Sequence, residues 1–240
     1  MNYFYEASQV FQQKITEYAW NIFKTYGKEL VLRLEEYNLL QNEHNCIESS
    51  TAIGFVLEEF IVSKLEMYTH CSNEDYRIDR NDGATTQESF DCFSIKNDIK
   101  FLVNVKAQRV GGNSNDAVAA INKLFDAYCI DSPEQNKSYI LFKVMYSIGE
   151  GSEDTPYTKA KPRHIYINDI TTYCIEEVDF SQGHQQDNRN WRNDGSSNKN
   201  NGRLKISSRF KNQHKVPEEL ISYINTFHQI HTIVKKNNQA

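Results

Sequence analysis

The strongest constraint on the fold is a strand–helix–strand pattern within residues 99–146. Residues 99–107 and 138–146 are short runs rich in apolar and aromatic side chains, as expected for buried strands. Apolar side chains recur at helical spacing between them: Val118, Ile121, Leu124, Phe125 and Tyr128. Because strands joined by a crossover helix lie parallel in a sheet, the pattern predicts a parallel pair of strands.

A hairpin is predicted just before this unit. Residues 76–79 and 89–95 alternate or run apolar in short pieces, which is typical of strands. The turn signals Asn81-Asp82-Gly83 and Asn97-Asp98 bound them, and the second turn joins residues 89–95 to the strand at 99–107. Two further short strands are predicted, at residues 164–168 and 203–207.

Helical periodicity predicts the remaining elements. Apolar residues at three- and four-residue spacing indicate a first helix up to Gly27, a second over about residues 28–40 and a third over about residues 50–68. Val216-Pro217 begins a last helix that extends to Ile233, since proline is favoured in a first turn. This order of elements predicts an α/β or mixed α+β fold, with a central mixed β-sheet flanked by helices.

Composition and short motifs exclude several classes of protein. The chain has 27 Lys and Arg against 32 Asp and Glu, a net charge of -5, which excludes a uniformly basic coat but not a local basic patch. It lacks a run of eighteen apolar residues and a secretory leader, so we expect a cytoplasmic protein without a membrane span. The five cysteines form no CxxC pair, and neither a P-loop nor a GxSxG motif occurs.

The residues with the clearest chemical meaning lie in the predicted hairpin. Asp91 stands at the start of one strand and Lys106 near the end of its antiparallel neighbour, so the two are expected to meet at the same end of the sheet. Asn104 lies two residues before Lys106 and therefore projects from the same face. A lysine within so apolar a strand requires a partner, and a metal-binding carboxylate or a scissile phosphate would supply one.

This arrangement resembles the PD-(D/E)XK nuclease superfamily, and most closely the type II restriction endonucleases. Phe90-Asp91 stands for the family's Pro-Asp, and Asn104-Val105-Lys106 stands for its acid-x-Lys. The helix segment from Ile53 to Phe60 resembles the helix that precedes the hairpin in the family and often adds a Glu to the metal site. The resemblance covers roughly residues 50–150 and implies a restriction-endonuclease-like core.

The resemblance also implies roles for individual residues. Asp91 and a second acid would bind Mg²⁺, and Lys106 would orient or activate the attacking water. Asn104 occupies the acid's position, and a neutral amide is a poorer ligand for Mg²⁺ than a carboxylate. A glutamate from the preceding helix is therefore expected to take over the charge. Glu59 is the first candidate, and Glu58 and Glu88 are the alternatives.

A basic, amide-rich segment is the second functional signal. Residues 181–216 contain eight basic residues and two acids, a net charge of +6, so the remaining chain carries -11. Arginine and lysine neutralise phosphates, while Asn, Gln and Arg pair with base edges, which predicts a DNA-binding loop. The residues expected to contact DNA are Gln108, Arg109, Asn113, Arg189, Trp191, Arg192 and Arg203.

Together these features predict a Mg²⁺-dependent type II restriction endonuclease that acts as a homodimer on a short, palindromic site in double-stranded DNA. We expect a single domain over residues 1–240, with N-terminal helices over 1–70, a catalytic core over 50–150, and a DNA-binding loop and C-terminal helix over 181–240. A catalytically inactive, sequence-specific DNA-binding module and a nuclease of DNA repair or transposition are the alternatives.

The residues named above can also have purely structural roles. Asp91 can cap a turn, Lys106 can extend to solvent from a strand end, and Asn104 can be a buried amide satisfied by the backbone. The segment 181–202 can be a solvated loop that is ordered only with a partner.

Overall fold

The computed structural model describes residues 3–26, 29–31, 50–81, 90–111, 117–120, 136–150, 163–177 and 203–205. They form two helices and eight strands, followed here in chain order. The elements are α1 (Tyr3–Tyr26), β1 (Glu29–Val31), α2 (Ser50–Cys71), β2 (Asp79–Arg80), β3 (Cys92–Lys96), β4 (Ile99–Arg109), β5 (Ala117–Ala120), β6 (Asn136–Glu150), β7 (Arg163–Cys174) and β8 (Arg203–Lys205). A short 3₁₀ helix, Ile175–Glu177, follows β7. None of the described helices is long and apolar enough to cross a membrane.

Six strands form one mixed sheet, in the order β1-β7-β6-β4-β3-β2. β4 and β6 are parallel, and the other neighbouring pairs are antiparallel. The predicted parallel pair and the strand at residues 164–168 are therefore confirmed, although β7 extends further in both directions. The protein has the α+β fold with a central mixed sheet that the order of elements predicts.

A tight turn at Asn97-Asp98 joins β3 to β4, as the sequence predicts. Both residues have positive φ angles, 50° and 62°. Two successive residues of this kind form the turn that matches the twist of a two-stranded hairpin, and Asn and Asp adopt this conformation more readily than most residues. The turn sets the register of the hairpin, in which Cys92 lies opposite Val103 and Lys96 lies opposite Ile99.

Both helices pack on one face of the sheet. α1 buries side chains at a spacing of three or four residues, among them Phe11, Ile15, Tyr18 and Ile22. β4 contributes Phe101, Val103 and Val105 to the same core. Because side chains alternate along a strand, Leu102, Asn104 and Lys106 project from the opposite face.

Three predicted elements differ from the structure. Residues 29–31 form an edge strand against β7 instead of part of a helix, and residues 117–120 form β5, which pairs with β8 instead of opening the crossover helix. In both places pairing with a distant strand outweighs the local preference for helix. β2 is limited to Asp79–Arg80, so the strand predicted from residue 76 begins later. Residues 121–135 and the last predicted helix lie outside the described residues.

Candidate active site

Asp91 directly precedes β3 and is held by two hydrogen bonds to β4. Its backbone N–H donates to the carbonyl of Val103 at 2.8 Å, which continues the ladder one residue beyond β3. Its carboxylate oxygen Oδ2 accepts a hydrogen bond from the backbone N–H of Val105 at 2.7 Å. The carboxylate is therefore fixed beside the strand that carries Lys106.

Lys106 lies near the end of β4 and is half-buried. Its Nζ donates a hydrogen bond to the carbonyl of Val105 at 3.0 Å. This contact bends the side chain back toward the end of the strand where Asp91 is bound. The structure thus brings Asp91 and Lys106 to one end of the sheet, as their positions in the sequence predict.

Asn104 shares the face of Lys106 and is only 5% exposed. Its Nδ2 donates a hydrogen bond to the hydroxyl of Tyr139 on β6 at 2.6 Å. Burial raises the pKa of Tyr139 above its ordinary value, and the charge of Asp91 adds to the rise, so this hydroxyl stays neutral. The amide is therefore part of a buried polar contact between β4 and β6.

Glu58 reaches the same place from α2. Its Oε1 accepts a hydrogen bond from the backbone N–H of Ala107, the residue after Lys106, at 2.9 Å. Burial raises the pKa of Glu58, while Lys106 and the Ala107 amide oppose the rise and Asp91 adds to it. Gly54, one turn earlier on α2, lies against Ala107, which brings this part of the helix close to the strand end.

Glu59 is directed elsewhere. Its carboxylate pairs with Arg80 Nη1 at 2.9 Å, and its side chain is 39% exposed. Successive residues of an α-helix are rotated by about 100° about its axis, so Glu58 and Glu59 cannot both face one strand end. The structure therefore corrects the order of the helix candidates: Glu58, not Glu59, accompanies Asp91 and Lys106. Glu88 lies outside the described residues.

The donor atoms gathered here suit a hard cation. Two carboxylates bind backbone N–H groups two residues apart near the end of β4, Asp91 at Val105 and Glu58 at Ala107. Oxygen ligands of this kind are those that Mg²⁺ prefers, with water completing the shell. No group of three or more His, Cys, Asp or Glu side chains that could hold a metal occurs among the described residues. The chemistry of the site is that of two carboxylates and one ammonium.

The residues expected to contact DNA are only partly described. Gln108 follows Lys106 on the same face of β4, and its Oε1 is buried with no hydrogen-bond partner among the described residues. Arg109 ends β4 beside Tyr146, to which its Cα is paired. Arg203 begins β8 opposite Ala120. Asn113, Arg189, Trp191 and Arg192 lie outside the described residues.

Sequence reasoning missed two features of the site. It named Tyr139 only as part of an apolar strand, although the hydroxyl holds Asn104. It also ranked Glu59 above Glu58. The spacing of Gly54 and Glu58 was the available signal, since residues four apart share one helix face and a glycine marks the side of closest approach.

Comparisons with known proteins agree with the fold. Among solved structures, the NlaIV restriction endonuclease matches with a TM-score of 0.52, over 94% of this chain and 82% of that chain. The sequence identity is 13%, so the likeness concerns the fold alone. No family model and no curated protein matches the sequence. The α+β architecture is consistent with a restriction-endonuclease-like core.

Proposed function

We propose that this protein is a Mg²⁺-dependent type II restriction endonuclease, which hydrolyses phosphodiester bonds in double-stranded DNA at a short, palindromic site. The observation that carries the proposal is the meeting of Asp91, Glu58 and Lys106 where β4 ends. Two carboxylates can hold a divalent cation and an ammonium can act on the attacking water, so these groups suit metal-assisted phosphodiester hydrolysis. The fold it shares with NlaIV restriction endonuclease supports the same reaction class.

Asp91 and Glu58 would hold Mg²⁺, with Glu58 supplying the charge that Asn104 lacks. When bound, the ion polarises the scissile phosphate and lowers the pKa of a water molecule beside it. Lys106 orients that water toward phosphorus and neutralises developing negative charge. A new bond forms between the water oxygen and phosphorus, the bond from phosphorus to the 3′ oxygen breaks, and the 3′ oxygen takes up a proton. The products carry a 5′-phosphate and a 3′-hydroxyl.

The proposal extends to the assembly and the DNA surface. A homodimer would match the two-fold symmetry of a palindromic site. Gln108 and Arg109, together with Asn113, Arg189, Trp191, Arg192 and Arg203, would form the DNA-binding surface. The pairing of β5 with β8 supports the inclusion of Arg203, which lies on β8. β5 begins six residues after Gly111, and six residues span at most about 20 Å, so this strand pair starts near the end of β4 that carries Gln108 and Arg109. The expected setting is a cytoplasmic restriction–modification system.

Digestion of unmodified phage DNA with Mg²⁺ or with EDTA tests the proposal. Discrete bands that appear only with Mg²⁺ and disappear in Asp91→Asn are the expected result. Asn at position 91 keeps an oxygen that can accept the Val105 N–H but removes the charge, so it is the least disruptive change. Intact DNA at every Mg²⁺ concentration would contradict the proposal.

A catalytically inactive DNA-binding module is the second candidate, and one observation favours it. Asn104 replaces the acid, and its amide is occupied by Tyr139. In that case duplex DNA would be retarded in a gel but never cut, and Asp91→Asn would bind it as the wild type does. Cuts confined to branched or damaged DNA would instead identify a nuclease of repair or transposition.

A further inference from the structure

A second lysine lies beside Lys106 in the sheet. β4 and β6 pair in parallel register, and Lys106 is the partner of Lys143. Strands paired in this way are about 4.8 Å apart, and paired residues project from the same face. Lys143 is half-buried, like Lys106. The two lysine side chains therefore start from neighbouring positions on one face of the sheet.

The alternation of β6 places Lys143 on the face of the candidate site. Phe142 and Val144, on either side of it in the chain, belong to the core under the helices. Lys143 projects from the opposite face, together with Tyr139, whose hydroxyl holds Asn104. The face that carries Asn104 and Lys106 on β4 thus continues onto β6 with a second positive charge.

The order of strands separates the charges by sign. β3 brings Asp91, and α2 brings Glu58 to Ala107 at the end of β4. Lys106 follows on β4, and Lys143 lies one strand further, on the side away from β3. A phosphodiester that reacts at this site carries one negative charge and gains a second as water attacks.

We propose that Lys143 is a catalytic residue whose ammonium contacts a non-bridging oxygen of the phosphate that is cleaved, on the side opposite the carboxylates. This inference rests on the proposed function, since it assigns a second contact to the same phosphate. Lys106 acts on the attacking water and the charge beside it, and Lys143 acts on the negative charge that grows on a non-bridging oxygen. The contact strengthens in the transition state, so removing it lowers the rate more than the affinity.

Lys100 provides a matched control. It lies on β4 six residues before Lys106, on the same face, and its partner on β6 is also a lysine, Lys137. The Lys100 ammonium lies over the rings of Phe90 and Phe93, 5.4 Å and 4.8 Å from their centroids. Lys100→Met removes the same charge from the same pair of strands without touching the position proposed for the phosphate.

The test compares Lys143→Met, Lys143→Arg and Lys100→Met by single-turnover cleavage of duplex DNA in Mg²⁺ and by binding in Ca²⁺. We expect Lys143→Met to lower the rate by about 10²-fold, with a smaller decrease in affinity. Its binding should depend less steeply on salt, by about the amount that one neutralised phosphate contributes. Lys143→Arg should retain the salt dependence and regain part of the rate, and Lys100→Met should match the wild type in both measurements. Unchanged thermal unfolding midpoints would separate these effects from misfolding.

The outcomes distinguish this inference from the proposed function. If the wild type cuts DNA and Lys143→Met cuts it as fast as Lys100→Met, Lys143 does not touch the phosphate and the nuclease assignment stands. If the wild type cuts no DNA, titration with inorganic phosphate tests whether Lys143 contacts an anion. Phosphate binding that is abolished in Lys143→Met and kept in Lys100→Met would support an anion contact at Lys143 without nuclease activity. Equal phosphate binding by all three proteins would overturn the inference.

Discussion

The carboxylate of Asp91 accepts a hydrogen bond from the backbone N–H of Val105 at 2.7 Å, which ties the acid to the strand of Lys106. Asp91→Ala removes the charge and this hydrogen bond, whereas Asp91→Asn removes only the charge. If the charge matters most, both variants should cut DNA at least about 10²-fold more slowly than the wild type while binding it in Ca²⁺. Single-turnover cleavage and gel retardation measure the two quantities, and full cutting by Asp91→Asn would remove Asp91 from the metal site.

Glu58 and Glu59 form a matched pair for mutation because they are adjacent and carry the same charge. Glu58→Gln should abolish or strongly reduce cleavage. Glu59→Gln should lose only the partly exposed ion pair with Arg80, worth about 0–1 kcal/mol of unfolding free energy. Cleavage assays with denaturant titrations check both effects. If Glu58→Gln still cut DNA and Glu59→Gln did not, Glu59 would be the metal ligand, as the sequence suggested.

The pH dependence of stability should report the burial of Glu58. Burial raises the pKa of this carboxyl above its ordinary value, so the native protein keeps a proton that the unfolded chain has already released. The contribution of Glu58 to the free energy of unfolding therefore falls as the pH rises from the ordinary to the raised pKa. Glu58→Gln should lack this decline, and the difference between the two proteins should grow over that window in urea titrations.

The same protonation should affect cleavage in the opposite direction. Because Mg²⁺ binds the ionised carboxylate, the cleavage rate of the wild type should fall as the pH drops through the raised pKa of Glu58. The rate should begin to fall at a higher pH than it would for a solvated glutamate. Single-turnover rates measured between weakly acidic and neutral pH provide the check. A rate independent of pH throughout this range would place the metal away from Glu58.

Asn104→Asp tests whether the amide supports the sheet or faces the metal. Because Asn104 is buried and donates to the Tyr139 hydroxyl, a carboxylate here should lower the free energy of unfolding by about 1–3 kcal/mol at neutral pH. The destabilisation should shrink in acid, where the carboxyl is protonated. Tyr139→Phe, which removes the hydroxyl that accepts this hydrogen bond, should cost a similar amount. An Asn104→Asp protein as stable as the wild type, with tighter Mg²⁺ binding, would show that residue 104 faces the metal.

The basic segment offers a test of the DNA surface. Alanine at Arg189, Trp191, Arg192 and Arg203 together should weaken DNA binding and flatten its salt dependence by about one unit of slope for each phosphate that the protein no longer neutralises. An arginine that reads a base should cost about 1–3 kcal/mol on the cognate site alone. Protease digestion with and without cognate DNA complements the binding assay, since the DNA should protect residues 181–202. Unchanged affinity and salt slope would move the surface to Gln108, Arg109 and Asn113.

The sequence predicted the parts of the fold that local patterns determine. The Asn97-Asp98 turn and the alternation of residues 99–107 defined the hairpin, and the helical pattern between two apolar strands predicted their parallel pairing. It did not predict β1 or β5, because each exists through pairing with a distant strand, β7 or β8. Strand propensity depends strongly on such tertiary context.

For the site, the hairpin residues were easier to place than the helix residue. The register of β3 and β4 follows from a two-residue turn, so the meeting of Asp91 and Lys106 could be inferred. The choice between Glu58 and Glu59 depends on the rotation of α2 about its axis relative to the sheet. That rotation follows from packing, including the approach of Gly54 to Ala107.

The two-residue turn between β3 and β4 has a consequence for the order of folding. It closes the shortest loop in the described sheet, so pairing across it carries little entropic cost and proceeds on the microsecond scale of isolated hairpins. We therefore expect the hairpin that brings Asp91 and Lys106 together to form before the more distant β6 joins the sheet. One residue inserted at Asn97-Asp98 that shifts the register by one would exchange the two faces of β4 relative to β3. Lys106 would then enter the core under the helices, while the overall length of the sheet would hardly change.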